Sequence, residues 1–245
     1  MHRLMITSAA YRQASTIRAD AALVDRENRL LWRQNSRRLE AEAIRDAMLA
    51  AAGTLDAKMY GEPTGEEERP TGEIVASGED KTGRRSIYLL VRRSMPVTLL
   101  NVFDAPVMET NCTRRVTSTT SAQALALMNG SFISSQAVHF GRRVQSEASV
   151  TGSGGAAAIV NHANRLATDG PYGSATFVEA TIDRAYRLAL SRNPTAQEQA
   201  AAQEFLRQQI ARYEKTGKTH DQSSEQAYAD ICQALLSSNE FVYVD

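Results

Sequence analysis

The residues best suited to chemistry are arginines and carboxylates between positions 38 and 104. The stretch RRLEAEAIRD (37–46) has six charged residues in ten, and RRSIYLLVRRS (84–94) carries two pairs of arginines. Because a guanidinium group is a planar fork of donors, it binds carboxylate, sulfate or phosphate oxygens in pairs. The members of this candidate ligand-binding cluster are Arg38, Glu42, Arg45, Asp46, Arg84, Arg85, Arg92, Arg93 and Asp104.

Two interpretations of the cluster are open from the residues alone. In the first, the charges stabilise one helix, through Arg38–Glu42 at spacing i,i+4 and Glu42–Arg45 at i,i+3, each worth about 0.2–0.5 kcal/mol when exposed. In the second, the arginines hold an anionic or carbohydrate substrate, and Glu42 or Asp104 acts as a base if burial raises its pKa. The sequence shows no nucleophile motif, metal-ligand cluster or phosphate loop, so catalytic residues and enzyme status stay unassigned.

Acidic and basic residues also separate along the chain. Between Glu62 and Asp80 seven acids accompany one base, a net charge of −6, whereas Lys81 to Arg115 holds seven bases and two acids. The glycines and prolines of 60–83 predict a flexible acidic loop. The two stretches either screen each other or form a basic groove for an anion, with the acidic loop as its cover.

Composition and cysteine spacing limit the function further. The 245 residues are 42% hydrophobic and carry no net charge. The absence of net charge disfavours non-specific electrostatic binding to nucleic acid. No apolar run is long enough for a transmembrane segment, and the first residues lack a signal-peptide layout. Cys112 and Cys232 belong to no CxxC motif, so neither zinc nor haem attachment is expected in this chain. We predict two buried thiols, and a disulfide between them stays open.

The spacing of apolar residues predicts a mainly α fold with one short strand or strand pair around 86–91. One helix continues from the charged stretch to a stop at Gly53. Another follows the hydroxyl groups of 117–120. Three amphipathic helices within 175–245 are expected to form an antiparallel bundle, the second beginning at the capping box TAQE (195–198).

The N-terminal third and the domain division are predicted from weaker patterns. Residues 2–14 are expected to form a helix with Leu4 and Met5 inward, and Leu30, Leu31 and Trp32 suggest a buried anchor. We expect a helical N-terminal part at 1–145, a linker rich in Gly, Ser and Ala at 146–174, and a three-helix segment at 175–245.

Eight sequence blocks occur in an order that is typical of one family. They are HRLMITSAAYRQAS, NRLLWR, RRLEAEAIRD, RRSIYLLVRRS, FDAP, STTSAQALALMN, AYRLALSRNPTAQE and CQALLSSNEFVYVD. Together they resemble the planctomycete domain of unknown function 1553, also called the PSD family. The resemblance leaves out only the loops at 60–83 and 145–175.

The resemblance implies the C-terminal domain of an exported protein, so a periplasmic or cell-envelope location is expected, and the chain itself is expected to be a C-terminal fragment. Related proteins often carry an N-terminal cytochrome-c-like domain, so haem is expected only in such a missing domain, which is also the expected partner. The family has no established activity. Our first hypothesis is therefore a binding or scaffold module, and the alternative is an enzyme or enzyme accessory domain that uses the arginine and carboxylate cluster.

Overall fold

Helices make up most of the chain described by the computed structural model, which covers residues 1–78, 83–106, 115, 117–151 and 175–244. The helices are α1 (His2–Thr7), α2 (Ala19–Val24), α3 (Ala41–Ala52), α4 (Thr98–Val102), α5 (Ser121–Asn129), α6 (Ser131–Thr151), α7 (Ala175–Leu190), α8 (Ala196–Lys215), α9 (His220–Leu236) and α10 (Asn239–Val242). The strands are β1 (Arg37–Arg38), β2 (Leu55–Asp56), β3 (Glu66–Glu68), β4 (Ile74–Ala76), β5 (Gly83–Arg84) and β6 (Tyr243–Val244). These elements confirm the predicted mainly α fold.

The chain divides into two compact units. The first combines Met1–Leu39 with Val242–Asp245, and within it β1 pairs antiparallel with β6. The second is Glu40–Phe241 and includes helices on both sides of the predicted linker. Because α6 continues to Thr151, the linker does not begin at 146, and its residues 152–174 lie outside the described part of the chain.

The core of the second unit follows α6 and α9. Phe140 and Val144 on α6, and Cys232 and Leu236 on α9, are fully buried. The two helices approach closely at Gly141, where an added Cβ would lie 3.2 Å from backbone atoms of α9. Helix α7 packs against both α6 and α9, and α8 packs against α9 and α7, so the predicted C-terminal helices share one apolar interior with α6.

Two helix termini, the start of α8 and the end of α3, follow from the sequence. At the start of α8, the Thr195 side chain accepts a hydrogen bond from the Glu198 N–H at 3.3 Å, which confirms the predicted capping box. Gly53 ends α3 with φ of 77°, a left-handed conformation that favours glycine. Cys232 is buried as predicted, and burial raises the pKa of its thiol. Cys112 lies outside the described residues.

Two predictions for the middle of the chain are wrong. The acidic stretch 60–83 is not a structureless loop, because β3 and β4 pair antiparallel within it, Glu67 opposite Val75, and Val75 is buried. The strand predicted around 86–91 is replaced by a 3-10 helix at Ser86–Tyr88, and only Leu89 makes an isolated bridge, with Thr64. The apolar run at 86–91 packs as an irregular segment, which periodicity alone does not distinguish from a strand.

The N-terminal predictions also fail. Helix α1 ends at Thr7, and the supposedly inward Leu4 and Met5 are 74% and 61% exposed. The proposed anchor residues Leu30 and Leu31 are 79% and 66% exposed. Apolar spacing gave no information on what covers these residues.

A group of charges around Arg192 joins the α7–α8 connection to the end of the C-terminal helices. The Arg192 guanidinium binds Glu198 at 2.7 and 2.8 Å and Glu240 at 2.5 and 2.7 Å, and it lies over the Tyr186 ring. Hydrogen bonds from Arg192, together with the Thr195 backbone, lower the pKa of Glu198 to about 2. The folded state therefore prefers the ionised carboxylate.

We expect Glu198→Gln to lower the free energy of unfolding at neutral pH by up to about 1 kcal/mol, since water screens this partly exposed pair. Glutamine keeps the capping box through its one oxygen, so the change removes the negative charge and one of the two hydrogen bonds from Arg192. A lowered folded-state pKa gives stability that is present above the ordinary pKa of 4.5 and is lost as pH falls toward about 2. Urea titrations between those pH values should give a flatter profile for the variant, and two parallel profiles would contradict the assignment.

Candidate functional site

An apolar groove lies on the second unit beside the segment that follows the 3-10 helix. Its volume is about 400 Å³, which falls in the range of small-ligand pockets. It is lined by Glu42, Ser86, Leu89, Leu90, Val91, Arg92, Arg93, Met95, Pro96, Val97, Leu100, Asn101, Ala105 and Pro106. Most of these side chains are apolar, so the groove suits a ligand with an apolar body.

The segment 86–106, which supplies most of the groove lining, is anchored on one side by the β3–β4 hairpin. Leu89 and Val97 pack with Ala76 of β4 in one buried cluster, against which Leu100 of α4 also packs. The Thr98 hydroxyl accepts a hydrogen bond from the Ile74 N–H at 2.9 Å, which ties α4 to β4. Residues 86–106 are therefore held as a shaped surface despite having little regular structure.

Arg45 anchors the same segment from the helix side. Its side chain is only 1% exposed, and Nη1 donates to the Arg84 carbonyl at 2.8 Å and to the Ser86 hydroxyl at 3.2 Å. The guanidinium also lies 5.5 Å from the centre of the Phe132 ring. A buried guanidinium must have its donors satisfied by the fold. Arg45 therefore has a structural role, and its side chain is too buried to contact a ligand.

Asp46 takes part in the same anchoring. Its Oδ1 accepts hydrogen bonds from both the N–H and the hydroxyl of Ser86, each at 2.7 Å. The neighbouring Arg85, whose side chain is 53% exposed, reaches Asp46 Oδ2 at 3.7 Å. Ser86 is thus the point where the charged face of α3 fixes the beginning of the groove.

Glu42 lies on α3 and lines the groove, but it is already engaged. Arg115 binds it with two hydrogen bonds of 2.6 and 3.1 Å. Burial alone would raise the pKa of Glu42, but the hydrogen bonds from Arg115 and a backbone group outweigh it and lower the pKa. A carboxylate held in its ionised form is a weak general base at neutral pH.

Arg92 and Arg93 are the cluster's cationic residues at the groove. Arg92 is 55% exposed, and its Nε lies 3.5 Å from Oε2 of Glu66, whose side chain is 1% exposed. The contact joins the acidic and basic stretches, as the screening interpretation predicts. Half of the Arg92 side chain still faces solvent, where it can meet an incoming anion.

The remaining predicted site residues lie elsewhere. The Arg84 guanidinium binds the carbonyls of Glu62 and Tyr60, both at 2.7 Å, and covers the Tyr88 ring. The Asp104 carboxylate binds the N–H and hydroxyl of Ser118 at 2.7 and 2.8 Å.

Arg38 belongs to the other unit and lies in β1. The predicted helical pair Arg38–Glu42 is therefore wrong, because α3 begins only at Ala41. Of the nine candidates, the groove lining includes Glu42, Arg92 and Arg93.

Sequence reasoning missed Arg115 and the apolar lining. Arg115 follows Glu42 by 73 positions, and single-sequence patterns do not reveal pairs at such a separation. The apolar run MPVTLL at 95–100 is visible in the sequence. The proline within it and the arginines before it were the available signal for an exposed apolar surface beside charge.

The described residues show neither a metal-ligand cluster nor a membrane-spanning helix. They contain no group of three or more His, Cys, Asp or Glu side chains arranged to hold a metal ion. None of the helices they form is both long and apolar enough to cross a bilayer.

The comparison with known proteins gives one match. The family model PSD1, described as "Protein of unknown function (DUF1553)", matches residues 1–206. The match confirms the resemblance seen in the sequence and ends within α8, before the block CQALLSSNEFVYVD. No curated protein matches the chain, and no solved structure does.

The two arginines that contact Asp46 give a matched test of the anchoring role. We expect Arg45→Ala to lower the free energy of unfolding by about 3 kcal/mol, because it leaves buried polar groups without their donor. Arg85→Ala should cost less than about 1 kcal/mol, since that pair is exposed. Chemical denaturation of both variants checks this, and equal effects would show that Arg45 does not anchor the groove.

Proposed function

The chain belongs to the PSD1 family, whose function is unknown, and we propose that it is a binding module that holds an amphipathic anion in the apolar groove. The ligand has an apolar body and a carboxylate, sulfate or sulfonate group. The observation that carries the proposal is the combination of an apolar lining with two adjacent arginines, Arg92 and Arg93.

The two parts of the groove recognise the two parts of such a ligand. Leu90, Val91 and Met95 offer apolar surface, and each Å² of apolar surface removed from water contributes about 25 cal/mol. The arginines contribute charge-assisted hydrogen bonds to the acidic group. Among the lining residues that the structure describes, Glu42 is the one acid, and Arg115 binds it, so its repulsion of an anion is reduced.

The state of the acidic residues supports binding over turnover. Asp46 and Asp104 accept hydrogen bonds from Ser86 and Ser118, and Glu42 has a lowered pKa. A hydrolytic or eliminating enzyme would need one of these groups poised to take a proton. The catalytic alternative therefore receives less support than a module that binds without changing its ligand.

The family resemblance supports a place for this module in the periplasm or cell envelope. It also supports a cytochrome-c-like domain of the same parent protein as a neighbour.

Decanoate is a suitable probe because it combines an alkyl chain with one carboxylate. We expect it to bind one site per chain by titration calorimetry, and Arg92→Gln should weaken the binding about tenfold by removing one charge-assisted contact. Decanol should bind more weakly than decanoate. Equal binding of the two probes would contradict the role of the arginines.

Two exposed apolar residues provide the matched control. Val91 lines the groove and is 55% exposed, whereas Ile87 is 74% exposed and is not a lining residue. Val91→Asp should abolish decanoate binding by placing a negative charge beside the carboxylate, and Ile87→Asp should leave it unchanged. If both variants bind decanoate like the wild type, the groove is not the site.

A further inference from the structure

Exposed apolar side chains concentrate in the first unit. Of the seventeen large hydrophobic residues exposed in the described part of the chain, ten lie in residues 1–39. Leu23 and Val24 are 89% and 86% exposed, and none of the buried core residues comes from this range. Solvent rarely surrounds such a density of apolar surface in a soluble domain, so it indicates an interaction surface.

Part of this surface is a turn that hydrogen bonds hold in one shape. The Asp25 carboxylate accepts from the N–H groups of Arg29 and Leu30 at 3.0 and 2.7 Å, and the Trp32 indole N–H donates to the Asp25 carbonyl at 2.8 Å. Leu31 has a φ of 53°, an unusual conformation for a leucine. The backbone is thus fixed in a form that exposes Leu30 and Leu31 at its tip.

The same unit is strongly basic. Residues 1–39 contain eight arginines, no lysine and three acids, a net charge of +5, which leaves twenty bases and twenty-five acids in residues 40–245. Within the tip sequence NRLLWR, arginines flank the apolar residues on both sides. Guanidinium groups bind phosphate oxygens in paired hydrogen bonds, so the charge favours a phosphate-bearing partner.

We propose that residues 1–39 bind an anionic phospholipid surface, with Leu30 and Leu31 entering the acyl region and the exposed arginines, which exclude the buried Arg38, on the lipid phosphates. Apolar burial and attraction to anionic lipids add together in peripheral membrane binding. Trp32 suits the interface between the acyl chains and the lipid headgroups. Its ring is half-buried and lies 5.9 Å from the guanidinium of Arg18 and 5.5 Å from that of Arg33. The site is separate from the apolar groove and does not depend on its ligand.

A second copy of the chain is a less suitable occupant. A two-fold symmetric contact brings the same surface of each copy together. The net charge of +5 on residues 1–39 would then face an equal charge, whereas an anionic bilayer supplies the opposite sign.

The test is sedimentation of the full chain with vesicles. We expect binding to an equal mixture of phosphatidylglycerol and phosphatidylcholine, little binding to phosphatidylcholine alone, and loss of binding as salt rises from about 0.05 to about 0.5 M. Leu30→Ser combined with Leu31→Asn should weaken binding at least about tenfold. Asparagine is chosen because it tolerates the left-handed backbone at position 31.

The matched control is Leu125→Ser combined with Met128→Ser, which removes two exposed apolar side chains from α5. This variant should bind the mixed vesicles like the wild type. Three results would overturn the proposal: equal binding to both kinds of vesicle, an equal loss in both double variants, or no binding together with a dimer in sedimentation equilibrium that the tip variant dissociates.

Discussion

The groove depends on the hydrogen bonds of the buried Arg45 guanidinium. The guanidinium links α3 to the Arg84 carbonyl and the Ser86 hydroxyl, and Asp46 at the next position of the helix accepts hydrogen bonds from both the N–H and the hydroxyl of Ser86. A charge that is 1% exposed is tolerated only where the fold supplies its partners. This requirement fixes the position at which the segment 86–106 contacts α3. It thereby sets the place at which the apolar side chains of the segment line an open groove.

Two uses of arginine follow from this arrangement. Arg45 and Arg84 bind backbone carbonyls and stabilise irregular chain, which has few hydrogen bonds of its own. Arg92 and Arg85 keep about half of their side chains in solvent, and among the described residues each forms an ion pair with one carboxylate. The first kind contributes to stability and the second remains able to respond to a ligand, although the sequence presents all four in similar charged stretches.

The sequence was informative where local rules decide the structure and uninformative where distant contacts do. The capping box at Thr195 and the stop at Gly53 depend on a few neighbouring residues, and both were predicted. The pairing of Glu42 with Arg115 and of Asp104 with Ser118 depends on the folded path of the chain. The β3–β4 hairpin was missed because three successive glutamates oppose strand propensity, and the contact of β4 with buried apolar residues overrides it.

The failed prediction of an inward-facing N-terminal segment has a different cause. Apolar periodicity reports that a surface avoids water, and it does not report whether the same chain, another protein or a bilayer provides the cover. In residues 1–39 the apolar side chains and eight arginines occur together, with the backbone of the Asp25–Trp32 turn held by its own hydrogen bonds. A surface that is ordered, basic and apolar at once is better explained by an external anionic partner than by an unfinished core, because a core would have excluded a net charge of this size.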